Sequence, residues 1–230
     1  MTHVSNPIAN SKQIIVVLAK NWSSTFGALQ RYDRLDTNAS WQKVGNEFRV
    51  MLGKNGMGWG VGLHGNTALT EGPTIAEGTN RSPVGAFTIP LAVGKDMRED
   101  WPVKLPYQKI SETIFCIDDP NSKYYNKVVN IKQMNKDWDS AEDMYSYVNE
   151  GLYVYAAMIG HNISPTTPGK GSCFFMHIWR SFDRPTAGCT AMYKNNAKEI
   201  IGWIDPQKKP VLVQLPEIIY DKIKFKWELP

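Results

Sequence analysis

Residues 171–192 read GSCFFMHIWRSFDRPTAGCTAM, an apolar run carrying a histidine, followed by a cysteine in a turn of small residues. Strand period places Cys173, Phe175, His177 and Trp179 on one face. Twelve residues past His177, Cys189 sits in the turn Pro185-Thr-Ala-Gly-Cys189 just ahead of a helical pattern. A connection of that length can bring the two side chains together. A thiol of ordinary pKa, about 8.5, is mostly protonated at neutral pH, so a nucleophilic cysteine needs a base or a cation beside it. His177 is the candidate base, and Gly188, with no Cβ, lets the turn amides approach a carbonyl and hold an oxyanion. Two other readings stay open on pattern alone. The pair could be core residues, or His161, Cys173, His177 and Cys189 could form a four-ligand zinc site, although no pair has the C-x2-4-C spacing of the common zinc modules.

Outward from this stretch the chain reads as short strands. Residues 13–19 (QIIVVLA) are a β-branched apolar run, while 26–32 and 46–52 alternate at strand period. PVLVQLP at 210–216 is a further strand. Asp139 with Glu142 three residues on reads as an N-cap and its partner, opening a helix that ends before Gly151. A second helix begins near Asn196, with Glu199 as partner and Ala197, Ile200, Ile201 and Ile204 as its apolar stripe, and stops at Asp205-Pro206. The last fourteen residues show no clear period. Gly60-Val-Gly-Leu-His-Gly65 matches a dinucleotide fingerprint in form, but no helix opens after it, so a flexible surface loop is expected instead. Asp118-Asp119-Pro followed by Tyr124-Tyr125 reads either as a turn or as acidic and aromatic groups lining a substrate groove.

Composition limits the function. The 230 residues, 42% hydrophobic and 21% charged, suit one folded domain with its core over about residues 13–216. The balance of +4 is spread along the chain, with only Lys208-Lys209 adjacent, so no nucleic-acid partner is expected. No apolar stretch approaches the roughly 18 residues of a membrane span, so stable membrane insertion is not expected either. The first twelve residues lack the apolar core of a secretory leader. Three cysteines cannot all pair, which leaves at least one free.

At His177 and Thr186-Ala-Gly-Cys189 the sequence resembles the L,D-transpeptidase (YkuD-like) catalytic domain of peptidoglycan enzymes, whose motif is a histidine, a loop, then Ser/Thr-x-Gly-Cys. Arg81-Ser-Pro-Val-Gly-Ala-Phe87 and the closing helix and strand extend the resemblance over most of 13–216. The segments Asp118–Asn126, Gly160-His-Asn162 and Thr186–Met192 resemble one subgroup, the one with TAGCTAM. The resemblance implies a mostly-β (α+β) fold, a mixed β-sheet sandwich with a few helices, at a periplasmic or cell-wall location. It implies peptidoglycan stem peptides as partner and no cofactor or metal. Cys189 would attack the carbonyl of the L-configured third stem residue and expel D-alanine. His177 would act as base with a pKa near neutrality and, when protonated, lower the Cys189 thiol below its ordinary value, and Thr186 would orient it through a backbone carbonyl. An amine acceptor gives a cross-link or an exchanged D-amino acid, and water gives an L,D-carboxypeptidase. A Cys-His amidase and a non-catalytic wall-binding module are the alternatives. Where many members carry His before the motif glycine and Arg two residues after the cysteine, this chain has Ala187 and Ala191. Arg180, Arg184 and His161 are then candidates for contacts to the donor stem, with Trp179, Asp119 and Tyr125 as further substrate-side residues. Cys116 and Cys173 read as structural thiols, able to pair in an exported protein.

Overall fold

The run Gln13–Ala19 lacks alternation because it is buried almost throughout, as a strand inside a covered sheet must be. The computed structural model describes residues 6–65 and 71–230. In chain order its strands begin with β1 (Gln13–Ala19), β2 (Phe26–Asp33), β3 (Gln42–Met51), β4 (Met57–Trp59), β5 (Ser82–Thr88), β6 (Ala92–Gly94) and β7 (Tyr107–Lys109). There follow β8 (Ile114–Ile117), β9 (Val128–Asn130), β10 (Ala141–Asp143), helix α1 (Met144–Asn149), β11 (Tyr155–Met158), β12 (Phe175–Ile178) and β13 (Thr190–Met192). Helix α2 (Lys194–Trp203), β14 (Val211–Pro216) and helix α3 (Glu217–Trp227) close the chain.

Eleven strands form one sheet in the order β4-β5-β14-β1-β2-β3-β13-β12-β11-β6-β7, and β10-β8-β9 form a second. The large sheet is mixed: β1 with β14, β12 with β13, β4 with β5 and β6 with β7 run parallel, and its other pairs antiparallel. With 33% strand and 16% helix the protein is mostly β, as the sequence implies. Helix α2 packs on β11 and β12, and α3 on β14 and β1, over a core that includes Ile14, Phe87, Trp101 and Trp227. A second core lies against α1 and β8. The two faces of β12 divide between them: Met176 and Ile178 enter the first, Phe175 the second, and Cys189 packs against the second.

Several local expectations are corrected. Residues 141–143 pair with β8 as a strand, so the first helix starts only at Met144, capped by the Asp143 carboxylate, which accepts from the Tyr145 and Ser146 amides. Helix α2 begins two residues before Asn196, and Glu199 pairs with Arg31 across the fold instead of capping. The last fourteen residues contain α3, whose buried Ile219, Ile223 and Trp227 recur every four residues. The glycine run is close-packed at Gly60 and Gly62, while Leu63 and Gly65 are exposed. A Cβ on Gly60 would lie 2.7 Å from the His161 ring, and one on Gly62 would lie 2.3 Å from the Ala86 carbonyl. Buried His64 is fixed there between Gly60 and Ala86. The Asn66-Thr67 step that follows lies outside the described residues. Cys116 and Cys173 form a disulfide with Cα atoms 6.0 Å apart.

Candidate active site

Parallel pairing of β12 with β13 sets Met176 opposite Thr190 and His177 opposite Ala191. Cys189, one residue before β13, therefore lies level with Phe175, whose N–H donates to its Sγ at 3.3 Å. The turn holding the cysteine is built by Thr186, whose Oγ1 accepts from the Gly188 N–H at 3.0 Å and donates to the Cys189 carbonyl at 2.6 Å. Ser82 Oγ donates to the Gly188 carbonyl at 2.7 Å, tying the turn to β5. Gly188 has φ +146°, and a Cβ there would sit 2.3 Å from the Phe174 ring, so only glycine fits.

Cys189 is the free cysteine. Its Sγ faces the Cys173 carbonyl at 3.7 Å and the Tyr153 hydroxyl at 4.0 Å. Burial first, and then the Glu142 carboxylate, push the thiol up to about 12, against weaker pulls from the Phe175 amide and Tyr153. His177 is 7% exposed, and burial takes its imidazole down to about 4. The free site therefore holds a neutral thiol and a neutral imidazole in the lining of one cleft. This overturns the expectation of a histidine titrating near neutrality. His177 Nδ1 bonds the Ile178 carbonyl at 2.8 Å, which assigns the proton to Nδ1 and leaves Nε2 as the basic nitrogen. The carbonyl that orients the ring is thus that of Ile178, and Thr186 instead shapes the turn that holds Cys189.

A cleft of about 370 Å³ opens on this pair, lined by Lys54, Asn80, Glu142, Tyr147, Tyr153, His177, Arg180, Arg184, Thr186 and Cys189 among others. Tyr153 is its hub. Its ring centroid lies 5.1 Å from that of His177, and its hydroxyl donates to Glu142 Oε2 at 3.4 Å. Burial, then the charge of Asp118, raise the Glu142 carboxyl to about 8. Arg180 pairs with Glu150, and no acidic partner engages Arg184 or Lys54 among the described residues.

Four expected substrate-side residues lie outside the lining of this cleft. Trp179 follows the end of β12 and faces Tyr193. The buried His161 accepts from the Val61 N–H at 3.1 Å and bonds the Lys170 carbonyl at 2.8 Å. Asp119 is buried and accepts from the Asn121 and Asp139 amides, an Asx turn that also anchors the approach to β10. The Tyr125 hydroxyl donates to Glu77. The neighbouring Asn126 donates to the carbonyls of His161 and Asn162 and accepts from the Cys173 amide. These motif segments thus brace the loop that presents Cys173 to the thiol. The zinc alternative fails because Cys173 is in the disulfide, and the described residues contain no group of three or more ligands suited to a metal. Lys54, Asn80, Tyr147, Tyr153 and the cleft position of Glu142 were not read from the sequence, because each reaches the site through long-range pairing.

Residues 42–213 match the sequence model of YkuD, the L,D-transpeptidase catalytic domain, a span that contains the whole turn, both strands of the Cys-His pair and Glu142. No curated protein and no solved structure matches the chain.

Proposed function

Since the chain belongs to the L,D-transpeptidase catalytic domain family, whose members act on peptidoglycan, we propose that it transfers stem peptides through a thioester on Cys189. The observation that carries this is the single free thiol, Cys189, in a cleft it shares with a histidine whose Nε2 is unprotonated. In this mechanism proton transfer from Sγ to His177 Nε2 accompanies attack on the donor carbonyl, because neither ion is stable beforehand in so buried a site. The Gly188 N–H is engaged by Thr186, so the oxyanion falls to the Cys189 N–H, which has no hydrogen bond among the described residues. The imidazolium then protonates the departing D-alanine amine. An acceptor amine reverses these steps and frees the thiol. Lys54, Arg180 and Arg184 supply positive charge at the cleft for carboxylates of the stem peptide. The Cys116–Cys173 disulfide fits an oxidising compartment such as the periplasm or wall.

The test is incubation with a defined tetrapeptide muropeptide and mass analysis of both protein and products. Thioester on the peptide containing Cys189, release of D-alanine and loss of both in Cys189→Ala are expected, together with a single acylation of Cys189 by a carbapenem. Turnover by a folded Cys189→Ala protein would refute the assignment.

A further inference from the structure

The acceptor half of a transpeptidation poses a problem that His177 is poorly placed to solve. An acceptor amine arrives as an ammonium of pKa near 10, as for a lysine side chain. Burial holds the His177 imidazole at about 4, so it is a weak base toward such a group. The cleft contains another acceptor of protons. Glu142 lines it on the far side of Tyr153, with Oε2 at 3.4 Å from the Tyr153 hydroxyl, itself 4.0 Å from Cys189 Sγ. The carboxyl oxygen is therefore within about 7.4 Å of the sulfur. An amine at attack distance from the thioester carbon, about 3 Å, and hydrogen-bonded to a carboxylate at about 2.9 Å spans a gap of this size.

The position is held from two sides. Glu142 pairs in register with Cys116 across β10 and β8. Cys116 is disulfide-bonded to Cys173, whose carbonyl faces the thiol, so carboxyl and nucleophile share one covalent brace. Behind it Asp118, outside the cleft lining, carries a buried carboxylate oxygen, Oδ1, with no hydrogen-bond partner among the described residues, and its charge acts on Glu142.

Resting on the transpeptidase reading, we propose that Glu142 receives the acceptor ammonium and takes its proton as general base for aminolysis of the Cys189 thioester. The step balances. The ammonium gives one proton to the Glu142 carboxylate, and the neutral amine attacks the thioester carbon. The C–S bond then breaks, and the second proton passes from the new amide nitrogen through His177 Nε2 to the departing sulfur. Glu142 returns its proton to solvent. A carboxyl lifted to about 8 suits this task far better than an ordinary one. Besides burial, the groups that set its charge are Asp118 beyond β8, Glu77 and the Tyr153 hydroxyl, while Lys54, Arg180 and Arg184 line the same cleft.

The experiment separates the half-reactions in the full chain, using a tetrapeptide muropeptide as donor and a D-amino acid as acceptor, from pH 6 to 9. In the parent the aminolysis rate rises through a limb near pH 8. Glu142→Gln keeps a partner for Tyr153, so Cys189 should acylate at least as fast, while transfer to the amine falls on the order of 10²-fold relative to hydrolysis and the limb vanishes. Glu142→Asp should restore part of the limb. Parental transfer with an unchanged limb in a Glu142→Gln protein that forms its thioester overturns this assignment alone. Absence of a thioester in the parent overturns the transpeptidase reading and this assignment with it.

Discussion

Replacing Glu142 by glutamine should stabilise the folded protein, and by an amount that grows with pH. The carboxyl ionises at the ordinary 4.5 in an unfolded chain and at about 8 in the folded one. Its folded pKa is the raised one, so the folded state keeps a proton that the unfolded state has released, and stability is lost as pH climbs from 4.5 to 8. At about 1.4 kcal/mol per unit that difference is a ceiling of about 5 kcal/mol. Water reaches part of the Glu142 side chain, which brings the expected loss to ~2–3 kcal/mol. Glutamine has no charge to bury and should escape the loss. The assay is urea unfolding of parent and variant at pH 4.5 and 8.5, with equal denaturant slopes as the check on two-state behaviour. Near-coincident midpoints at pH 4.5 and a variant more stable by a few kcal/mol at pH 8.5 are expected. A parent–variant difference that is the same at both pH values would show that the carboxyl titrates normally, and would remove the physical basis for its role as a base.

Three further outcomes are open to measurement. Iodoacetamide should label native Cys189 at pH 7.5 on the order of 10³-fold more slowly than the urea-unfolded thiol, because a thiol near 12 is almost wholly protonated; labelling at the unfolded rate contradicts the buried neutral pair. A Cys116→Ser, Cys173→Ser double variant gives up a cross-link between residues 57 apart and should lose ~4 kcal/mol in urea unfolding, so a midpoint equal to the parent's would show that the brace is energetically idle. Gly188→Ala must move either the turn or Phe174, and a displacement of about 1 Å at the nucleophile lowers muropeptide turnover roughly 10²-fold with the circular dichroism retained; parental turnover would count against the turn geometry.

What the sequence disclosed and what it hid follow a physical division. Strands β1 and β14 were legible because burial of both faces demands mostly apolar residues, with Gln214 buried but bonded to Thr190. Cys189, Gly188 and His177 stood out as candidates because a proposed nucleophile, a close backbone approach and a proposed base each restrict the residue type, and the fold brings Cys189 and His177 into one cleft. Helix α3 was hidden because exposed Ile218 and Phe225 put apolar groups on its outer side, blurring the stripe of Ile219, Ile223 and Trp227. Glu142 was misread as a helix partner since its true neighbour, Cys116, is remote in the chain. The ionisation of the Cys-His pair was expected in the wrong direction for a related reason. Local sequence displays the partner charge, whereas desolvation depends on everything packed around the pair. The Asp119 and Tyr125 segment carried a specific pattern, but its hydrogen bonds brace the 161–173 loop.

The pairing of β1 with β14 joins segments far apart in sequence, Ile14 with Val211. During synthesis β1 thus waits, unpaired on one side, until β14 has been made. Its apolar edge is exposed meanwhile, the condition under which nascent β proteins associate wrongly. Closure also seats Gln214, which bonds Thr190 at the start of β13, so the nucleophile turn settles in the same event that completes the sheet. Folding of such a topology is slow, and catalytic competence should emerge together with global protection from proteolysis, neither preceding the other. A chain stopped before Val211 would carry every residue of the cleft and still leave the β1 edge open and Thr190 without its anchor.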